Sequence, residues 1–158
     1  MACRQSTPQT LRQAACQAIV NLCGSVDGAL AVLKSSFVAD AVKAIRTASI
    51  RADARNMAHL AAVVPVLQAL AAAASHSEGQ RHLVRIDVQP SLLESLVELL
   101  EATSHPEASA AALMVLRNVA LRHDNKSYFL ADPKCALVTS HTTRRCCCCF
   151  AMQQSSLR

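Results

Sequence analysis

The chain has 158 residues, 52% of them hydrophobic but only 3% aromatic, with three glycines, five prolines and a formal net charge of +5. That length suits one domain with a real core. So little turn chemistry and so few aromatic residues exclude a sandwich or barrel, while abundant Ala and Leu lose little rotamer freedom in a helix. The charge excludes a nucleic-acid partner once it is located. All 11 acidic residues lie in 1–132 against 12 Lys and Arg, and the excess comes from Lys134, Arg144, Arg145 and Arg158. Phosphate binding needs a clustered basic face, and the body shows none.

Helical periodicity begins at once. From Pro8 to Cys23, the residues Leu11, Ala15, Cys16, Ile19, Leu22 and Cys23 fall on one stripe of period 3.6, with Arg12, Gln13 and Gln17 elsewhere. Pro8 suits a first helical turn, where its missing N–H costs nothing, and Gly24 offers a left-handed stop. A short helix is predicted from Asp27 to Leu33. A third, Phe37 to Thr47, carries Phe37, Val38, Ala41, Val42 and Ile45. The plan then recurs with a long helix over Arg55 to Ala74, a short one over Glu78 to Ile86 and a third over Pro90 to Ala102. It begins again with Pro106 to Leu121 and Asn125 to Ala131. Pro65, inside the second long helix, is expected to kink or split it.

The three units share one register when anchored on Asp27-Gly28, Glu78-Gly79 and Asp124-Asn125, which are 51 and 46 residues apart. Eight residues before the acid stand Ile19, Leu70 and Leu116; eleven before stand Cys16, Leu67 and Leu113. Four and five residues after the anchor's second member come Val32-Leu33, Leu83-Val84 and Phe129-Leu130. The acid is expected to cap the short helix and its neighbour to ease the turn. One unit cannot bury such stripes alone, so neighbours must stack. The spacing lies near the ~40–47 residues of armadillo and HEAT repeats. The fold expected is therefore all-α, an armadillo/HEAT-like right-handed superhelix of two complete units and one truncated. Residues 1–135 form the repeat domain and 136–158 a disordered Cys-rich tail. The third unit lacks a third helix like PSLLESLVELL, and the first has no polar cap unit, so a longer parent protein is expected.

The segment AALMVLRNVALRHDNKSYFLADPK, Ala111 to Lys134, resembles the armadillo-like C-terminal region of the rotatin family of large centriole and cilium-base proteins. The likeness lies in Leu116, Arg117, Asn118, His123, Asn125-Lys126 and Leu130-Ala131. LRQAACQAIVNLC and the stretch around Ala58-His59-Leu60 are similar more loosely. The resemblance covers about residues 8 to 135 and implies a scaffold for centriole assembly and cilium-base organisation. It also implies centriolar or ciliary protein partners and placement at the centrosome and basal body. An importin-like groove, which resembles a ladder of Asn with Trp on third helices, is a poorer match. The third helices here carry Lys43, Arg46, Glu94 and Glu98 instead.

No constellation points to catalysis, so the chain is expected to be no enzyme and to need no cofactor or metal. The six His (59, 76, 82, 105, 123, 141) come without HExxH or a Cys-x2-Cys pair in the body, and His76, His105 and His123 are expected to be solvated at turns. Glu94 and Glu98, at i and i+4, bring like charges together on a solvated face. Arg117 is expected to pair with a carboxylate and Asn118 to bond a loop carbonyl. Cys146, Cys147, Cys148 and Cys149 follow Arg144-Arg145. Contiguous cysteines cannot readily surround one zinc. The readings weighed there are an aberrant terminus, which is favoured, and S-palmitoylation, which would make the chain a membrane-tethered adaptor. No leader and no membrane span are apparent, and a reducing cytoplasmic setting fits the scattered cysteines.

Overall fold

A computed structural model describes residues 7–50, 57–85 and 91–131, and every regular element among them is helical. In chain order these are α1 (Thr7–Leu22), α2 (Val26–Lys34), α3 (Phe37–Ile50), α4 (Met57–Ala73), α5 (Ser77–Arg85), α6 (Leu92–Ala102), α7 (Pro106–Ala120), a 3-10 turn (His123–Asn125) and α8 (Lys126–Ala131). The long-short-third order read from the periodicity is present in both complete units. The segment 136–158 lies outside the described residues, as do Ile86 and Pro90.

Local chemistry sets the helix boundaries. Ser25 caps α2 by accepting the Gly28 N–H at 3.1 Å, and Ser91 caps α6 by accepting the Glu94 N–H at 3.2 Å. Each such cap is worth about 1 kcal/mol. His105 caps α7, its Nδ1 accepting from the Ala108 N–H at 3.3 Å, and Pro106 follows at the first helical position. The expected acid caps are corrected here. Asp27 and Glu78 stand inside the first turns of α2 and α5, where a negative charge still complements the helix dipole. Gly24 closes α1 through a 3.1 Å bond from its N–H to the Asn21 carbonyl, without left-handed backbone. Pro65 does not split its helix: α4 runs through it as one element.

Packing follows the repeat. The long helix α4 lies between α1 and α7, α3 packs on α6, and α2 packs on α5. From α1 to α4, each helix thus meets the one three places along, which sets like on like; α5 meets the 3-10 turn instead. The core runs through all three units as one cluster. It includes Cys16, Leu33, Ile45, Leu67, Leu70, Leu83, Leu96, Val115, Leu116 and Phe129. Burying side chains of this size contributes roughly 1.5–3 kcal/mol each, before the ordering cost is subtracted.

One contact repeats in all three units. A Cβ at Gly28 would overlap the Leu22 carbonyl oxygen, and a Cβ at Gly79 would overlap that of Ala73. Both carbonyls lie six residues upstream, at the end of the long helix. In the third unit Asn125 holds the same position, and its Nδ2 donates at 2.9 Å to the Val119 carbonyl, again six residues upstream. The glycines are therefore there for close approach and not for turn freedom. Where Gly is replaced by Asn, the carbonyl gains a donor and the turn tightens to 3-10.

Two parts of the expected core differ. Leu113 is only half-buried, whereas its register mates Cys16 and Leu67 are buried. The next long helix covers that face in the earlier units, and among the described residues no further long helix packs on α7. On α1, Leu11, Ala15 and Leu22 are exposed, Ile19 is half-buried, and only Cys16 and Cys23 are buried. Among the long helices of the described residues, α1 packs chiefly on α4, which covers one of its faces. The side chain of Leu130 lies outside what the structure describes.

Candidate binding surface

The units are tied together by side chains reaching back to main-chain carbonyls of the preceding unit. His76 Nε2 lies 2.7 Å from the Cys23 carbonyl oxygen, and His82 Nε2 lies 3.2 Å from that of Leu33. A carbonyl only accepts, so Nε2 carries the proton in both rings. Between the second and third units, Asn118 Nδ2 donates to the Ala71 carbonyl at 3.0 Å. Arg122 Nη1 donates to that of Ser77 at 3.4 Å, and Asn125 Nδ2 to that of Gln80 at 2.9 Å. Arg122 also pairs with Asp124 at 3.0 Å. By register His76 and Arg122 are equivalent, so both interfaces are tied at the same corner. The Cys23, Leu33 and Ala71 carbonyls stand at the C-terminal ends of α1, α2 and α4, where the last four lack intrahelical donors, whereas Ser77 and Gln80 lie in the first half of α5.

Several sequence expectations are corrected by these contacts. His76 is half-buried and engaged, and His105 is a cap; of the three turn histidines only His123 is exposed. Asn118 bonds a carbonyl in the last turn of α4 and not one in a loop. Arg117 is exposed and takes part in no ion pair among the described residues. These ties carry no sequence signature of their own; the one available signal was a polar residue recurring at the same register position in the turn after a long helix.

With the turns and long helices engaged in stacking, the third helices keep an outer edge. On α3, Lys43, Thr47 and Ile50 recur at i, i+4 and i+7, all exposed, with Arg46 beside them. The same register positions on α6 are Glu94, Glu98 and Glu101, of which only Glu101 is fully exposed and the other two are half-buried. Lys43 makes a local 3.5 Å pair with Asp40, exposed on both sides, which contributes at most ~1 kcal/mol. Since α3 packs on α6, basic residues on one helix and acidic residues on the other hold the same register positions, with Ile50 79% exposed at the end of the basic set. Such a strip offers a protein partner both charge register and an apolar anchor.

The described residues also bear on metal, thiol and membrane chemistry. No three of His, Cys, Asp and Glu come together there as a metal site would require. Cys23 is buried, and desolvation pushes its thiol above the ordinary value, which suppresses the nucleophilic thiolate. No single described helix is long and apolar enough to cross a membrane; α4 is the most apolar, and the chain bends by 118° into α5. The cluster Cys146 to Cys149 lies outside the described residues. The chain matches no family model, no curated protein and no solved structure.

Proposed function

We propose that the chain is a protein-interaction scaffold, not an enzyme, built as an armadillo/HEAT-like right-handed superhelix of two complete units and one truncated. The observation that carries the reading is the recurrent helix-end contact. Gly28, Gly79 and Asn125 each meet the carbonyl six residues upstream, while each long helix packs on the next. Stacked units of this kind spend their apolar faces on one another and leave an ordered outer strip for partners. Here that strip is Lys43, Arg46 and Ile50 with Glu94, Glu98 and Glu101.

The proposed context is cytoplasmic, at the centrosome and cilium base, in centriole assembly and basal-body organisation with centriolar or ciliary proteins as partners. Its support is the resemblance carried by Ala111 to Lys134. Proximity labelling in ciliated cells tests both parts. The intact chain should label basal-body proteins. The double variant Lys43→Glu, Arg46→Glu should keep its helical content and lose most of that labelling. Labelling spread evenly through the cytoplasm would remove the context, and labelling unchanged in the variant would remove the surface.

A further inference from the structure

Each long helix after the first buries one narrow face whose counterpart on α1 is open. In α4 that face is Ala62, Val66, Ala69 and Ala73, and in α7 it is Ala108, Ala112, Val115 and Val119. All are buried except Ala62, which is half-buried. Their register mates on α1 are Leu11, Ala15, Ala18 and Leu22, and all four are exposed, Leu11 at 69% and Leu22 at 58%. Spacings of four, three and four residues keep these side chains within one stripe of a helix. Val26, 46% exposed at the start of α2, lies just beyond its end.

The stripe reads the same in both directions. Leu, Ala, Ala and Leu are arranged symmetrically about a point between Cys16 and Gln17. An antiparallel second copy of α1 would therefore set Leu11 against Leu22 of that copy, and Ala15 against its Ala18, twice over. A twofold interface requires this self-complementarity. Small residues at the centre let two helices approach closely, with the leucines closing each end. Arg12 is the one charged residue of α1; antiparallel pairing sets it level with the neutral Asn21 of the second copy, and the exposed flanks Gln13, Gln17 and Asn21 are neutral. The face also continues an interface the molecule already uses, since α4 packs on α1 and α7 on α4, and all but one of the matching positions on α4 and α7 are buried.

We infer that this face is a homodimer interface, formed by antiparallel pairing of α1 with α1 of a second copy. It rests on the stacking of the long helices and not on the scaffold role. The full chain in reducing buffer should sediment through the micromolar range at twice its 16.9 kDa monomer mass. Leu11→Glu with Leu22→Glu sets like charges together at both ends and should halve the mass. Leu11→Lys with Leu22→Glu sets opposite charges together and should restore the dimer, more weakly at high salt. As a readout that leaves the leucines intact, benzoylphenylalanine placed at position 18 should crosslink to the peptide around Ala15 of a second copy. A monomeric wild-type chain would overturn the inference, as would a dimer indifferent to the double Glu variant. Loss of the dimer in both charge variants, or crosslinks to residues 106–131, would overturn the antiparallel pairing.

Discussion

Helices α1 and α4 hold the same register position in their units and end differently. Both are long and both carry the stripe that marks the first helix of a unit, although α4 is much the more apolar of the two. In α4 two faces are covered, by α1 and by α7, and Leu67, Ala69, Leu70 and Ala73 are wholly buried. In α1 one face is covered, and Leu11 and Leu22 remain more than half exposed. Periodicity therefore identifies which residues can be buried in a stack, while position in the stack decides which of them are. Leu113 on α7 shows the same effect from the opposite side.

That contrast can be broken by mutation, measured as denaturant unfolding at concentrations where copies do not associate. Leu70→Ala empties a site with no exposure and should cost roughly 2–5 kcal/mol; a loss below about 1 kcal/mol would mean α4 is not the centre of the stack. Gly79→Ala drives a methyl into the Ala73 carbonyl, part of the backbone and unable to swing away, and should cost about 1–3 kcal/mol. Asn125→Ala removes donors from the Val119 and Gln80 carbonyls and should cost ~1–3 kcal/mol. Asn125→Gly removes the same donors and adds backbone freedom to the unfolded chain, so it should cost at least as much as Asn125→Ala. At the other extreme Leu11→Ala should change stability by no more than ~0.5 kcal/mol, although it sits in the same kind of stripe as Leu70.

The smallest effect expected is with pH. Burial raises the folded thiol of Cys23 above its unfolded value, so the unfolded chain gives up its proton first as pH rises. The contribution to stability is complete below the ordinary thiol range and is lost as pH climbs through the raised value. Cys23→Ala should flatten the alkaline limb of the stability profile; an unchanged limb would place its origin in other groups.

Much of this architecture is legible in the sequence because stacked helices express burial as a local period. Each predicted helix found in the described residues lies within a few residues of its expected bounds, since Ser, Pro and Gly punctuate them. The shared register also located Gly28, Gly79 and Asn125 together, though with the wrong reason attached. A turn explanation is local, whereas the carbonyl contact needs the angle between two helices. The ties from His76, His82, Asn118 and Arg122 were missed for the same reason: each joins residues 45–53 positions apart. On the outer strip, Lys43, Arg46, Glu94 and Glu98 were visible as residues. The packing of α3 on α6, which brings their two helices together, was not.

The central claim is that the three units are equivalent and stack in register, and adding a unit tests it most directly. A duplicate of Gly28 to Glu78 inserted between Glu78 and Gly79 repeats one full 51-residue period and places each long helix against another like it. Repeat stability grows with each interface added. The extended chain should gain helical signal in proportion and melt cooperatively at a higher temperature than the parent. A lower melting temperature, or added residues without added helix, would contradict the account.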